Sequence, residues 1–149
     1  MEIREEKLTE PLLAELISLS RDWERENSCR GYRANLREDL EGQTIFCARD
    51  GGTLVGYLFG EFCEQKENST VLKKGERFFE LAELFVVPER RSQGVGCALF
   101  CAAEEALRGE TRMILLSTAT KDWRRILHFY IEELGMDFWS ARLFKEITG

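Results

Sequence analysis

The stretch that decides the fold is VVPERRSQGVGCALF, residues 86–100. An apolar run stops at Pro88, five polar residues follow, and Gly94 and Gly96 flank a single valine before a helical pattern begins. Glycines let a backbone approach a ligand closely, and the free N–H groups at a helix N-terminus attract anions. The stretch therefore indicates either a phosphate-binding turn or a plain connection that uses glycine for its geometry.

The segments on either side of this turn indicate a βαβ unit. Residues 78–87 are apolar and strand-like, residues 94–108 have helical spacing, and MILLSTAT, residues 113–120, is typical of a buried strand. A strand, a crossover helix and a second strand place the two strands side by side and parallel. Upstream, Asp50-Gly51-Gly52 between two apolar runs predicts a hairpin, which adds antiparallel pairing.

The N-terminal third adds one strand and two helices. A first strand begins at Ile3, and Thr9 is a suitable N-cap for a helix. The i, i+4, i+8 spacing of Tyr32, Leu36 and Leu40 predicts a second, shorter helix.

The C-terminal third adds a helix over residues 122–134 and a closing strand over residues 137–147. The whole order predicts an α/β fold, an α+β arrangement in which a central mixed β-sheet carries helices on both faces. A length of 149 residues suits one domain, and we predict a single domain over residues 1–149.

Composition excludes several classes of partner. The net charge of −6, from 21 basic and 27 acidic residues, disfavours nucleic acid and is compatible with a cationic substrate. No apolar run approaches a membrane span, and MEIREEKLTE lacks the features of a secretory signal. These observations predict a cytoplasmic protein that binds neither nucleic acid nor membranes.

The cysteines and the histidine disfavour a metal site. The 5 cysteines form no CxxC pair, and His128 is the single histidine, so buried free thiols are the preferred interpretation. The glycine turn also fits neither common nucleotide motif. Leu99 occupies the third glycine position of GxGxxG, and the Gly-Lys-Ser/Thr of a Walker loop is absent.

Two motifs resemble signatures of the GNAT superfamily of N-acetyltransferases. Residues 91–96, RSQGVG, resemble its acyl-CoA signature, Arg/Gln-x-x-Gly-x-Gly/Ala, and HFYIEELGM, residues 128–136, resembles its second signature. The closing RLFK, residues 142–145, is similar to the ending of the spermidine and thialysine acetyltransferase branch. The resemblance covers nearly the whole chain and implies the GNAT acyl-CoA N-acyltransferase fold, acetyl-CoA as cosubstrate and no metal.

The resemblance also implies which residues bind acetyl-CoA. The backbone after the strand would cradle the pyrophosphate, the strand end would pair with the pantetheine arm, and Trp123 stands where the family often has Asn. The stretch from Tyr130 to Gly135 is one residue longer than the commonest form. The implied cofactor-binding residues are Leu84, Phe85, Val86, Arg91, Ser92, Gln93, Gly94, Val95, Gly96, Cys97 and Trp123.

Acetyl transfer to an amine also needs a base and an acid. A primary ammonium has a pKa of about 10.4 and must lose a proton before it attacks. The resemblance implies an acidic residue on this strand as the base, so Glu80 and Glu83 are the candidates, although one or both could simply face solvent. Strand parity places them on opposite faces unless a bulge intervenes, and Glu83 is preferred. The resemblance implies Tyr130 as the acid that protonates the CoA thiolate, whereas His128 is interpreted as structural.

The acceptor is the least determined part of this hypothesis. A small cationic primary amine, such as a polyamine, an aminoglycoside or a lysine analogue, fits the dense carboxylates between residues 61 and 83. Two alternatives stay open: a non-catalytic acyl-CoA-binding sensor, and a protein N-terminal acetyltransferase. The closing strand, with Phe138, Trp139 and Phe144, could be shared with a second copy in a homodimer or could equally be core.

Overall fold

Apolar side chains on extended segments build the sheet around which the chain folds. A computed structural model of the protein describes residues 1–148. The sheet has five strands in the order β1-β2-β3-β4-β5. The strands are β1 (Glu2–Glu6), β2 (Thr44–Asp50), β3 (Thr53–Glu64), β4 (Arg77–Val86) and β5 (Ile114–Leu115). The α-helices are α1 (Glu10–Glu26), α2 (Arg37–Leu40), α3 (Val95–Leu107) and α4 (Trp123–Leu127).

The sheet is mixed, with a helix packed on each face. Strands β1 to β4 pair antiparallel, and β4 pairs parallel with β5 across α3. One core cluster joins α1 to one face through Leu12, Leu16 and Tyr57, and the other joins α3 to the opposite face. The predicted fold class, hairpin and βαβ unit are confirmed.

Local sequence explains where the long helices begin. The Thr9 hydroxyl accepts a hydrogen bond from the Leu12 N–H at 3.3 Å, and Pro11 occupies the first turn of α1, where its missing N–H costs nothing. The other long helix, α3, follows Gly94, which is its N-cap residue with φ of 85°. The predicted cap and the predicted start of α3 are both confirmed.

A β-bulge in β4 changes which face its carboxylates occupy. Phe59 pairs with Glu83 while Gly60 pairs with Leu81, which leaves Ala82 as an extra residue in β4. One extra residue reverses the alternation of side chains. Glu80 and Glu83 therefore lie on the same face of the sheet, the face that packs against α1.

The predicted second helix is shorter than its apolar spacing suggested. Only Arg37–Leu40 is helical, because the Asp39 carboxylate accepts the Leu36 N–H at 2.8 Å and fixes the helix start there. Tyr32 lies upstream in an irregular segment, so the prediction that it belongs to this helix is wrong.

Two predicted strands also differ from the structure: the first is much shorter than predicted, and the second does not form. Of residues 113–120 only Ile114 and Leu115 form a strand, and residues 136–148 have no regular secondary structure. A strand needs a partner for its backbone groups, and within residues 1–148 the sheet ends at β5. Large apolar side chains of this C-terminal segment are at least half exposed: Phe138, Trp139, Leu143, Phe144 and Ile147.

No helix within residues 1–148 combines the length and apolar character needed to cross a bilayer.

Candidate active site

A carboxylate with three hydrogen-bond donors lies on the α1 face of the sheet. Glu83 Oε1 accepts from the Tyr57 hydroxyl at 2.9 Å and from the Tyr32 hydroxyl and Asn35 Nδ2 at 3.0 Å each. Tyr57 comes from β3, whereas Tyr32 and Asn35 come from the segment between α1 and α2. We call these four residues the carboxylate site.

The environment of the carboxylate site sets its protonation. Burial raises the pKa of Glu83, and the three hydrogen bonds act in the opposite direction without cancelling the rise. Burial, together with the charge of Glu83, raises the pKa of Tyr32 and Tyr57. Both tyrosines therefore stay protonated near neutral pH and serve as donors, while Glu83 can exchange a proton closer to neutrality than an ordinary glutamate.

The other candidate base, Glu80, has a different environment. Its side chain shares a sheet face with Glu83, but its carboxylate accepts no hydrogen bond from residues 1–148, and its direct cross-strand partner is Glu61. Burial and the charge of Glu61 raise the pKa of Glu80. The structure thus joins Glu83 to a set of polar side chains and leaves Glu80 beside a second carboxylate.

The glycine turn presents backbone donors to open space. Gly94 has φ of 85°, and a Cβ built on it would meet no atom within 4 Å. The first backbone bond into the helix is donated by Ala98 to the Gly94 carbonyl at 2.9 Å. Within residues 1–148, the N–H groups from Ser92 to Cys97 have no protein acceptor, so they are available to an anion.

The second glycine of the turn serves packing. A Cβ at Gly96 would lie 3.2 Å from the ring of Phe129. Gly96 therefore allows α3 to approach the segment that carries Tyr130, in addition to any part it has in the turn.

Each arginine before the turn is already paired. Arg91 lies 2.6 Å from Glu26 at the end of α1 and donates through Nε to the Val86 carbonyl at 2.8 Å. Arg90 pairs with Asp50 of the hairpin. Burial acts to raise the pKa of Glu26, but hydrogen bonds from Arg91 and Ser28 outweigh it and the pKa is lowered.

The end of β4 opens toward a gap in the sheet. The β4–β5 ladder consists of two pairs, Phe79 with Ile114 and Glu80 with Leu115, so β4 has no strand partner on that side further along. Val87 N–H bonds to Val55 in β3 at 3.0 Å. By alternation, the N–H groups of Leu84 and Val86 point into the gap, whereas Phe85 faces β3.

Tyr130 lies in a π-helical turn, His128–Glu133, that directly follows α4. A π turn accommodates one extra residue in a helix, which matches the one-residue excess predicted between Tyr130 and Gly135. The ring packs edge-on against Phe129 at 5.1 Å and Phe100 at 6.5 Å. Burial, with a smaller contribution from the Cys29 thiol, raises the pKa of Tyr130 to about 12.

Two further predicted positions lie near the surface. Trp123, the first residue of α4, is 53% exposed, with the Arg124 guanidinium 4.4 Å from the centre of its ring. His128 is exposed beside Glu133, with Nε2 to Oε1 at 3.9 Å. This exposed position gives no support to the interpretation of His128 as structural, which stays a prediction.

The cysteines are less buried than predicted. Cys47 is buried, Cys101 is exposed, and the other three are intermediate, so the expectation of buried thiols holds for Cys47 alone. Residues 1–148 contain no group of three or more His, Cys, Asp or Glu side chains that could hold a metal ion.

The sequence prediction missed Tyr32, Asn35 and Tyr57. Their signals are weak: Tyr57 supplies the one hydroxyl group between Leu54 and Phe59, and Tyr32 and Asn35 are separated from Glu83 by 51 and 48 residues. Neither feature points to a shared carboxylate before the fold is known.

The fold and the turn define a class of protein. The sheet is mixed, its one parallel pair separates beside β4, and free helix N–H groups lie near that opening, as expected for the acyl-CoA N-acyltransferase fold that the resemblance implied. The chain belongs to the acetyltransferase (GNAT) family, whose family model matches residues 10–136. It is accordingly an acetyl-CoA-dependent N-acetyltransferase, as the resemblance implied.

Solved structures share this fold at low sequence identity. An aminoglycoside acetyltransferase, meta-AAC0020, from an uncultured soil metagenomic sample has a TM-score of 0.68 at 18% identity, covering 98% of this chain and 97% of that one. Aminoglycoside N-acetyltransferase AAC(6')-Iy in complex with CoA has a TM-score of 0.67 at 16% identity, covering 99% and 100%.

A ribosomal-protein-alanine N-acetyltransferase from Brucella melitensis biovar Abortus 2308 is equally similar, with a TM-score of 0.68 at 17% identity, covering 98% and 100%. No curated protein matches the sequence significantly.

Proposed function

We propose that this chain, as a single acetyltransferase domain over residues 1–149, transfers the acetyl group of acetyl-CoA to the primary amine of a small cationic substrate by direct attack. Glu83 acts as the base and Tyr130 as the acid. The observation that carries the proposal is the Glu83 carboxylate, held by three donors and beside an open sheet edge. The cytoplasmic location predicted from the sequence is part of this proposal.

The free donors described above support the proposed cofactor-binding residues. The backbone N–H groups from Ser92 to Cys97 would hold the pyrophosphate, and the open space over Gly94 leaves room for it. The N–H groups of Leu84 and Val86 would pair with the pantetheine arm and the thioester carbonyl. Gln93, Val95, Phe85 and Trp123 complete the proposed binding set, and Arg91 would add charge near the phosphates.

Acetyl-CoA, when bound, supplies an activated acetyl group as a thioester. Glu83 takes one proton from the acceptor ammonium, which leaves a neutral amine with a free electron pair and a neutral carboxyl group. The amine nitrogen then bonds to the acetyl carbon as the carbon–sulfur bond breaks. Tyr130 donates its hydroxyl proton to the departing sulfur. The acylated nitrogen then releases its extra proton, which restores the Tyr130 hydroxyl and leaves a neutral amide, and solvent accepts the proton of Glu83.

The acceptor class rests on charge. Glu83 and Glu80 share one face of β4, and Glu61 lies opposite Glu80, so this face attracts a cation. Two similar structures are named as aminoglycoside acetyltransferases, which favours including polycationic amines. The RLFK ending adds the polyamines and lysine analogues of the spermidine and thialysine branch to the same set.

Thiol release from acetyl-CoA across a panel of amines tests this proposal. The panel holds polyamines, aminoglycosides, lysine analogues and short peptides with a free N-terminus, and a thermal shift with acetyl-CoA runs in parallel. We expect release that depends on a small cationic amine. Release with peptides alone would support the protein N-terminal alternative, and a thermal shift without release on any acceptor would support the sensor.

A second copy of the chain is the proposed partner of the C-terminal segment, residues 136–148. Leu143 and Ile147 are 95% and 94% exposed, and Phe144 is 75% exposed, with the Arg30 guanidinium 5.0 Å from its ring centre. Monomeric proteins rarely leave such a row of apolar side chains in water. We expect a dimer by light scattering and a monomer for Leu143→Asp; a monomeric wild type would contradict this proposal.

A further inference from the structure

The two oxygens of the Glu83 carboxylate have different surroundings. All three donors of the carboxylate site bond to Oε1. Oε2 receives no hydrogen bond from residues 1–148, yet it is not sealed. Within residues 1–148, Gln43 Oε1 is the only fully buried side-chain nitrogen or oxygen without a hydrogen-bond partner. The unpaired Oε2 of Glu83 is therefore not fully buried. Glu83 therefore has one saturated oxygen and one that solvent, or a ligand in its place, can reach.

The three donors are themselves fixed by other parts of the fold. Tyr57 is fully buried, its ring 5.8 Å from that of Phe59. The Tyr32 ring lies 4.4 Å from Trp23 of α1. Asn35 donates its backbone N–H to Ser20 Oγ at 2.9 Å. Because each donor belongs to an ordered neighbour, together they restrict rotation of the carboxylate about its last bond.

We infer that Tyr32, Asn35 and Tyr57 are positioning residues, which hold Glu83 through Oε1 and leave Oε2 as the oxygen that meets the acceptor amine. This inference rests on the proposed function, in which Glu83 is the base. An oxygen with three donors has little remaining capacity to accept a proton, whereas Oε2 keeps its lone pairs. A carboxylate fixed in this way keeps Oε2 aimed at the amine through the transfer.

The titratable groups that face Glu83 come from three parts of the chain. Tyr57 belongs to β3, Tyr32 and Cys29 to the segment after α1, and Asp39 to α2 at longer range. Burial raises the pKa of Glu83, and hydrogen bonds from Asn35, Tyr57 and Tyr32 lower it. Loss of any one donor therefore raises that pKa further, and a base with a raised pKa loses its active, ionised form at a higher pH.

The experiment measures kcat, the KM for acetyl-CoA and the pH profile of kcat/KM for Tyr57→Phe, Tyr32→Phe and Asn35→Ala. We expect kcat to fall about tenfold in each variant, the KM for acetyl-CoA to stay within about twofold, and the acidic limb to move to higher pH. Leu58→Val is the packing control: Leu58 is the buried neighbour of Tyr57 in β3 but packs on the opposite face of the sheet from Glu83, so the variant removes no donor and its acidic limb stays in place.

A second measurement separates this inference from the proposed function. The titration of the Glu83 carboxyl carbon is followed by NMR without amine or acetyl-CoA, its signal being assigned by its absence in Glu83→Gln. A titration and an acidic limb that both move to higher pH support the inference. If the Glu83 titration moves to higher pH in these variants but the acidic limb of their kcat/KM profiles does not, Glu83 is not the base and the proposed function fails. If neither moves while Glu83→Gln is inactive, the positioning role fails and the proposed base stands.

Discussion

Glu83 of the carboxylate site lies in β4, and the glycine turn follows the end of β4, yet the two places are built from different parts of the chain. The turn is made of consecutive backbone N–H groups from Ser92 to Cys97, which have no protein acceptor. The carboxylate site is made of four side chains, with Tyr32, Asn35 and Tyr57 satisfying one oxygen of Glu83. The N–H groups of the turn are thus free to bind a ligand, whereas Oε1 of Glu83 already accepts three hydrogen bonds.

On this difference we base separate proposed tasks for the two places. Free donors at a helix N-terminus bind whichever anion fits, so damage there weakens cofactor binding. Burial raises the pKa of the carboxylate and its donors lower it, which suits the proposed role in proton transfer. Substitutions in the carboxylate site should therefore lower turnover. Variants of the two places should therefore fail in different measured quantities, and the predictions below go from the largest effect to the smallest.

Gly94→Glu is expected to abolish the rise in melting temperature that acetyl-CoA causes. A carboxylate side chain would enter the space over the turn and repel the phosphates. Gly109→Glu is the matched control, because Gly109 has φ of 86° and also has no atom within 4 Å of a built Cβ, but it lies at the far end of α3. A normal shift in folded Gly94→Glu would show that the turn does not bind acetyl-CoA.

Glu83→Gln is expected to lower kcat by about 10² to 10⁴, the usual contribution of a general base, with an unchanged acetyl-CoA thermal shift. Glu80→Gln is the matched comparison on the same sheet face, and we expect it to keep kcat within about threefold because no donor orients Glu80. Equal losses in the two variants would remove the distinction between the two carboxylates.

Tyr130→Phe is expected to lower kcat by roughly tens-fold while cofactor affinity is nearly unchanged, since loss of a general acid acts on the transition state. The hydroxyl has no hydrogen-bond partner within residues 1–148, so removing it costs the fold little. Unchanged turnover would make Tyr130 a packing residue of the π turn.

The smallest effect concerns stability. The folded-state pKa of Glu83 is raised, so between its ordinary pKa and the raised one the folded state binds more protons than the unfolded state. Stability from this group is therefore lost as pH rises through that window. We expect the melting temperature of Glu83→Gln minus that of the wild type to increase across the same window. A flat difference would contradict a raised pKa.

The turn could be predicted from the sequence because its residues are consecutive. Thr9, Pro88 and the hairpin glycines act through neighbours in the chain, and each was predicted. Of the carboxylate site, the sequence predicted Glu83 but not its three donors, because Tyr32 and Asn35 are distant in the chain and Tyr32 had the spacing of a helix residue. The Ala82 bulge, which decides the face of Glu80, also could not be predicted. The C-terminal segment reads as a strand, but a strand forms only where a partner exists, and residues 1–148 provide none.

The most direct test of the proposed function is amine-dependent thiol release from acetyl-CoA, measured side by side for the wild type and Glu83→Gln over the panel of cationic amines. We predict release by the wild type with at least one small cationic amine, and loss of that release in Glu83→Gln while acetyl-CoA still raises the melting temperature of both. Undiminished release by Glu83→Gln would contradict the role of the carboxylate site as the base.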